Sequence, residues 1–437
     1  MKTSKTNRRQ FIKNTAATAL GLSLAGNTIA GYRDTSKKKV RIAVIGTGNR
    51  GTHLMKILLG LKGVEVPAIC DIDRQKLDHA GKLCVDMGGK DPDKYFDNEH
   101  SYKKLLDRDD LDAVIIATYW KWHTPMALYA MKRGIYPGVE VPIALSIDEC
   151  WDLVNTSEET GIPCMMLENW SFRKDNLAVL NMIRAGLLGD MVHCHCAHSH
   201  DCIDHWFFDR EDGHQRWPAK YLIDYNRDQY PTHSLGPVLS WLDINGGDRI
   251  TEIYSSATAS KGINAYFTRR FGPDHPNASL KFKQGDIVTS TLKTAKGKTI
   301  ILNYDMQLPR PYDNRWMAQG TRGIYREQPG TIYLEGKSPE YHQWEDFKPY
   351  EEKYIHQWWK DESRVGGGHG GVDQLELSLF VDAVREKTQT PIDVYDSVTM
   401  SAVVALSGLS IEKNAPVKFP DFTKGTWESR KPWFAVV

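Results

Sequence analysis

The chain is 437 residues long, 25% charged and 41% hydrophobic, with a formal net charge of +1. That length allows two or three domains with ample core, and the charge balance excludes a whole-molecule preference for polyanions such as nucleic acid. Seven cysteines, an odd number placed mostly in apolar contexts (Cys70, Cys84, Cys150, Cys164), argue against a full disulfide framework and read as small buried residues.

The first element lies outside any fold. Asn7-Arg8-Arg9-Gln10-Phe11-Ile12-Lys13 precedes an apolar, small-residue stretch from Thr15 to Ala30. A twin-arginine pair ahead of a short apolar region reads as an export signal over residues 1–30, cleaved after Ala30 and too short to be a membrane span. The mature protein is therefore expected in the periplasm or otherwise exported. This route carries proteins folded in the cytoplasm, where a dinucleotide can be loaded first. No later stretch approaches about 18 uninterrupted apolar residues, so no membrane span is expected.

Val40, Ile42, Val44 and Ile45 form a buried-strand pattern that runs into Gly46-Thr47-Gly48-Asn49-Arg50-Gly51, and a helical pattern begins at Thr52. Glycines at this spacing between strand and helix make a dinucleotide-binding turn: a tight bend, a close approach of backbone to pyrophosphate, and close helix–strand packing. The phosphates would sit on the free N–H groups of the helix start. A second apolar run, Val64 to Cys70, ends in Asp71, an acid at the distance suited to gripping ribose hydroxyls. Asp71 favours NAD over NADP, whose 2′-phosphate it would repel; Arg50 keeps NADP in play.

A charged helix to about Met87 follows, then a loop to about Phe96, a short helix from Ser101 to Leu106, and a buried strand from Asp112 to Thr118. Trp120-Lys121-Trp122-His123 ends that strand and opens a helix at Thr124-Pro125. A strand from Ile135 to Val139 leads to Glu140-Val141-Pro142. A helix from Ser146 to Thr160, with Ser146 and Glu149 as a capping box, precedes a strand from Pro163 to Leu167. Alternating strands and helices predict a doubly wound parallel sheet, an α/β Rossmann domain over residues 38–167.

From Glu168 the pattern changes. A helix from Leu177 to Ala185 and a strand from Gly189 to His198 come first. Strands near 250–258, 287–293, 299–305 and 331–335 predict a large, open, mostly antiparallel sheet in a second domain over residues 168–437. Gly366 to Gly371 reads as a flexible loop, and the helix from Val372 to Lys387 as a return to the first domain.

This order resembles the Gfo/Idh/MocA oxidoreductase superfamily. The motifs are similar to those of glycoside hydrolase family 109, typified by NAD-dependent α-N-acetylgalactosaminidases: the Gly46–Gly51 turn, Trp120 to His123, Glu140-Val141-Pro142, Leu167-Glu168-Asn169, Leu180 to Arg184, Tyr230-Pro231-Thr232-His233 with Gly236-Pro237, Pro309 to Tyr312, and His369-Gly370-Gly371. Sugar dehydrogenases of the wider superfamily usually carry Glu-Lys-Pro where Glu140-Val141-Pro142 stands. Val141 has no proton to exchange, which disfavours ordinary dehydrogenation.

The resemblance implies a glycosidase in which bound NAD takes hydride from C3 of the sugar, a base removes the acidified C2 proton, and the aglycone leaves from C1. Water then adds and hydride returns, with no net redox, an exception to the paired-carboxylate mechanism. It implies His233, Tyr230 and Glu140 as catalytic groups: His titrates near the working range, and Tyr acts if a neighbour lowers its pKa. Cofactor contacts are implied at Gly46, Gly48, Asn49, Arg50, Gly51, Asp71, Trp120, Lys121, Trp122, His123, Glu140, Val141, Asn169, Trp217 (or Arg216) and Tyr230. Substrate contacts are implied at His198, Tyr230, Pro231, Thr232, His233 and Tyr312.

Two departures bear on the substrate. His198, within the run His193 to Asp201, falls where many relatives carry a sugar-contacting Tyr, and Phe172 also replaces a frequent Tyr. Cys194, Cys196, His198 and His200 would share one strand face, but a single strand does not supply tetrahedral geometry; a histidine-lined sugar pocket is expected there and no metal. The partners expected are a glycan or glycoside and a second copy of the chain, as a homo-oligomer. Two other readings stay open: a periplasmic sugar oxidoreductase of the glucose–fructose type with tightly bound cofactor, and a non-catalytic glycan-binding protein that keeps the dinucleotide as a structural element.

Overall fold

The computed structural model describes residues 39–366 and 368–436; the export signal expected over residues 1–30 lies outside them. Seven parallel strands make the first sheet: β1 Val40–Ile45, β2 Val64–Glu65, β3 Ala68–Cys70, β4 Asp93–Tyr95, β5 Ala113–Ile116, β6 Tyr136–Val139 and β7 Met165–Met166. Their order is β4-β3-β1-β5-β6-β7, with β2 pairing β1. β5 is fully buried and β1 nearly so, as parallel strands covered by helices on both faces must be. The order reverses direction at β1, which opens a crevice at the carboxyl ends of β1 and β5, the usual ligand position of such sheets.

Local signals explain the connecting helices. Ser146 accepts from the Glu149 backbone while Glu149 reaches back to the Ser146 N–H, so the capping box starts the helix Ile147–Thr160, and Gly161 in the left-handed region ends it. Asp73 caps the helix Arg74–Asp86 in the simpler way.

The second sheet has nine strands in the order β15-β14-β13-β12-β8-β11-β10-β9-β16. They are β8 Met191–Ser199, β9 Ile250–Ala257, β10 Ile287–Thr294, β11 Thr299–Asp305, β12 Met317–Gly320, β13 Gly323–Arg326, β14 Thr331–Leu334, β15 Glu345–Asp346 and β16 Val417–Lys418. Only the β8–β11 pair is parallel. β10 alternates buried and exposed along its length, so one face is covered and the other faces solvent. β12, β13, β15 and β16, none of them anticipated, are two to four residues long, below the length at which alternation becomes readable.

The helix Val394–Lys413 covers that inner face and touches both sheets. Its serine hydroxyls accept from backbone N–H groups of Ile143 at 3.2 Å and Met166 at 3.1 Å on one side, and of Asp228 and Ser255 at 2.9 Å on the other. By length and composition it could cross a membrane, but its burial inside the protein marks it as a core helix.

Candidate active site

Glu168 follows β7 and is fully buried. It accepts from the backbone N–H groups of Trp170 and Ser171, at 3.0 and 2.9 Å, and from the Ser171 hydroxyl. Its Oε1 also takes Nδ1–H of His233 at 2.8 Å. A carboxylate can only accept, so the imidazole proton sits on Nδ1 and leaves Nε2 as the acceptor. The Tyr230 hydroxyl lies 3.3 Å from that Nε2.

His233 holds this position because it occupies the first turn of the helix Thr232–Trp241. Close packing of that helix on Glu168 requires Gly236: a Cβ there would overlap Glu168 Oε2 and Ser171 Oγ. Burial pushes the Tyr230 phenol well above its usual range, and nearby Glu140 adds to the effect. A neighbour that lowers its pKa, the condition for Tyr230 to act as a base, is thus overruled by desolvation, and the residue stays protonated.

Rings of Trp170, His198 and Tyr312 surround this pair. The His198 ring lies 5.0 Å from Tyr230, 5.6 Å from His233 and 5.6 Å from Tyr312. Burial, then the neighbouring His233 and His200, holds His198 well below the usual imidazole range, so it is neutral. Its Nδ1 is buried with no partner among the described residues. Pro231 and Thr232 are buried at the helix start, whereas Tyr312 is exposed at the rim of the cup.

The glycine turn adjoins this cup. Gly46 has φ +89° and its missing Cβ would meet Ala117 O; a Cβ on Gly51 would overlap Gly46 O; Gly48 faces open space. Bend, packing and ligand approach are therefore divided among the three glycines as the spacing implied. Asn49 is exposed at the start of the helix Asn49–Gly60, whose Gly48 cap makes no side-chain bond, so its first N–H groups are free to meet phosphate. Asp71 directly follows β3 and accepts from Thr47 N at 2.6 Å and Asp73 N at 2.9 Å. These residues fit a nicotinamide dinucleotide.

Family models match both halves. That for the oxidoreductase family with NAD-binding Rossmann fold covers residues 40–167, and that for the C-terminal domain of glycosyl hydrolase 109 covers residues 172–429. A glycosyl hydrolase family 109 protein from Stenotrophomonas maltophilia is 40% identical over 98% of each chain. The α-N-acetylgalactosaminidase of Tannerella forsythia is 39% identical over 98% of this chain and 99% of its own. The chain belongs to glycoside hydrolase family 109. It is a glycoside hydrolase whose Rossmann domain binds NAD(P). Among solved structures, an NAD-binding oxidoreductase from Klebsiella pneumoniae aligns with a TM-score of 0.69 and 16% identity, covering 88% of this chain and 100% of its own. Levoglucosan dehydrogenase in complex with NADH aligns at 0.67 and 15%, with the same coverage. These two show the shared fold.

Several residues of the family 109 chain take places that the sequence did not indicate. Arg50 turns inward, with Nε 2.5 Å from Glu140 Oε1 and NH1 2.8 Å from Asp373 Oδ2. In this structure the Arg50 guanidinium is committed to these two carboxylates. Asp373, on the helix Val372–Glu386, also takes Asn169 Nδ2 at 2.7 Å, His369 Nδ1 at 2.7 Å and His53 Nε2 at 3.0 Å. Burial opposes its charge, but the His369 bond and Arg50 outweigh that and hold Asp373 far below the usual carboxylate range. One turn on, burial and then Asp373 push the fully buried Glu376 well above that range, so it is a neutral acid.

His123 is buried with its Nδ1 2.8 Å from Pro142 O and Nε2 3.0 Å from Thr118 O, so it braces the segment holding Glu140 and the buried Val141. Trp120 is buried against Trp217, Trp206, Tyr221 and Tyr230. Trp217 stacks on Tyr119 at 4.9 Å, whereas Arg216 pairs with Asp209 at 3.0 Å, which favours Trp217 of the two. Trp122 packs on His100 and Tyr102, and Lys121 is exposed above it. Phe172 packs on Trp358 and Phe434 in the core. Cys194, Cys196 and His198 share the buried face of β8 as expected, and His200 lies just past the end of the strand.

Glu168 and Asp373 were not singled out in the sequence. Glu168 sits inside a quoted motif, but nothing in spacing tells that it meets a histidine 65 positions later. The Asp373 contact spans 323 positions, and only its place on the returning helix hinted at it.

Proposed function

We propose that this protein cleaves α-N-acetylgalactosaminides by oxidation at C3, elimination across C1–C2, addition of water and re-reduction, with NAD bound throughout. The observation that carries this reading is the Glu168–His233–Tyr230 chain beside the glycine turn, at a site where Val141 takes the place of a dehydrogenase lysine. Two relatives, from Tannerella forsythia and Shewanella oneidensis, bear the name α-N-acetylgalactosaminidase.

Gly46, Gly48, Asn49, Gly51 and Asp71 would hold the dinucleotide, and Asp71 together with the inward Arg50 supports NAD over NADP. When bound, that group supplies reversible hydride transfer at C3. His233, oriented by Glu168, offers Nε2 to the C2 proton once the ketone has acidified it. Tyr230, held protonated by burial, hydrogen-bonds the C3 oxygen and would relay the C3 hydroxyl proton to His233 Nε2, 3.3 Å away, and on to solvent before that nitrogen takes the C2 proton. His198 and Tyr312 bind sugar hydroxyls or the acetamido group, and Trp170 gives the ring a flat wall. The twin-arginine segment would export the folded, loaded protein, and the open face of the second sheet would pair two copies.

The test is hydrolysis of p-nitrophenyl α-N-acetylgalactosaminide in deuterated water. Released sugar is expected to carry deuterium at C2. Release without label would mean direct displacement and sink the mechanism; lactone or ketosugar as product would instead support a net oxidoreductase. Periplasmic recovery that is lost when Arg8 and Arg9 become lysine is the expected result for export.

A further inference from the structure

Just past β8, His200, Cys202 and His205 each bring one donor atom within 4.8 Å of the others. Cys202 is buried, His200 half-buried and His205 exposed on the single helical turn Ile203–Phe207. Buried Ile203 and Phe207 anchor that turn in the core, and a one-turn widened helix of this kind often marks a functional site. Among the described residues, none of the three donor atoms has a hydrogen-bond partner; the carboxylate of Asp204 stands 3.7 Å from His205 Nδ1.

A neighbouring trio gives the contrast. Asp209, Asp212 and His214 also lie together, but Asp209 accepts from Glu211 N at 2.8 Å, and Asp212 from His214 N at 3.0 Å and Nδ1 at 2.7 Å. Those groups are spent on closing a turn. The first trio closes nothing.

We propose that His200, Cys202 and His205 form a binding site for one divalent transition-metal ion of the zinc type. Two imidazoles and a thiolate suit zinc or its cobalt surrogate and not calcium or magnesium, which take oxygen ligands. Three protein ligands leave a fourth position for water or a hydroxyl, as in open zinc sites. His200 packs on Tyr312 at 4.9 Å, so the ion would stand behind the rim of the sugar-facing cup. On binding, the Cys202 S–H bond breaks, an S–metal bond forms and the proton leaves to solvent; nothing is oxidised or reduced.

The test uses the full, cofactor-loaded chain without a polyhistidine tag, stripped by chelator and titrated with cobalt(II). One equivalent is expected to bind with thiolate-to-metal absorption in the near ultraviolet and to be displaced by zinc. His205→Ala, at an exposed position that leaves folding intact, should weaken binding at least about tenfold, the lower end of what losing even an outer-shell partner costs. Cys202→Ser should abolish the absorption, and His214→Ala should leave the titration unchanged. Failure of the wild-type chain to take up stoichiometric cobalt or zinc would overturn the site. So would a titration that His205→Ala and Cys202→Ser leave unaltered.

Discussion

Glu168 acts through His233. With Nδ1–H held at 2.8 Å, the imidazole presents Nε2 and cannot swap tautomers. Glu168→Gln keeps the volume, but an amide nitrogen can face Nδ1 and favour the opposite tautomer. The expected outcome is a fall in kcat of about 10²-fold or more, the scale of general acid–base catalysis, with KM little changed. Steady-state kinetics together with the rate of C2–H exchange measure it, and a change confined to KM would assign Glu168 to binding. His233 and Tyr230 were legible because both fall in the Tyr230–His233 motif that carries the family resemblance. Glu168 was not, because its partner is fixed only by tertiary packing.

At the scale of elements, the helix Thr232–Trp241 works because it lies almost in contact with the Glu168 carboxylate. Gly236→Ala places a methyl group on Glu168 Oε2. Helix or carboxylate must move, and overpacking of this kind costs roughly 1–3 kcal/mol. Lower unfolding stability and at least about a tenfold loss of kcat are expected; a fully active, fully stable variant would show that the relay tolerates displacement. A change of Asp373 to Asn tests a second element contact, since it weakens the clamp between the helix Val372–Glu386 and Arg50. Faster release of bound dinucleotide on dilution is expected, followed by its fluorescence.

Long elements were readable, because the helix at 147–160 carries a capping box, that at 372–386 its apolar periodicity, and β1 its apolar run. The helix Val394–Lys413 went unread: nearly all its faces are buried, so it has no polar stripe to reveal its period.

Across the whole molecule, buried acids set the pH response. Burial pushes Asp228 up to about 7, and burial together with Asp393 pushes Asp396 up to about 8. An unfolded Asp titrates near 3.9. Between those values the folded chain holds protons that the unfolded chain has released, so stability falls as pH rises through the window and levels off above it. Urea unfolding is expected to give a lower stability at pH 8 than at pH 5. Asp228→Asn, which keeps the acceptor for Tyr230 N, should reduce that difference. An unchanged pH slope would remove Asp228 from the account.

The helix Val394–Lys413 ties backbone of both sheets, and Asp373 reaches back to Arg50 in the glycine turn. During synthesis, the nucleotide crevice therefore stays without this clamp until Asp373, which only the last 64 of the 437 residues follow, has left the ribosome. A product truncated before Asp373 keeps every strand of the first sheet but lacks the carboxylate that holds Arg50.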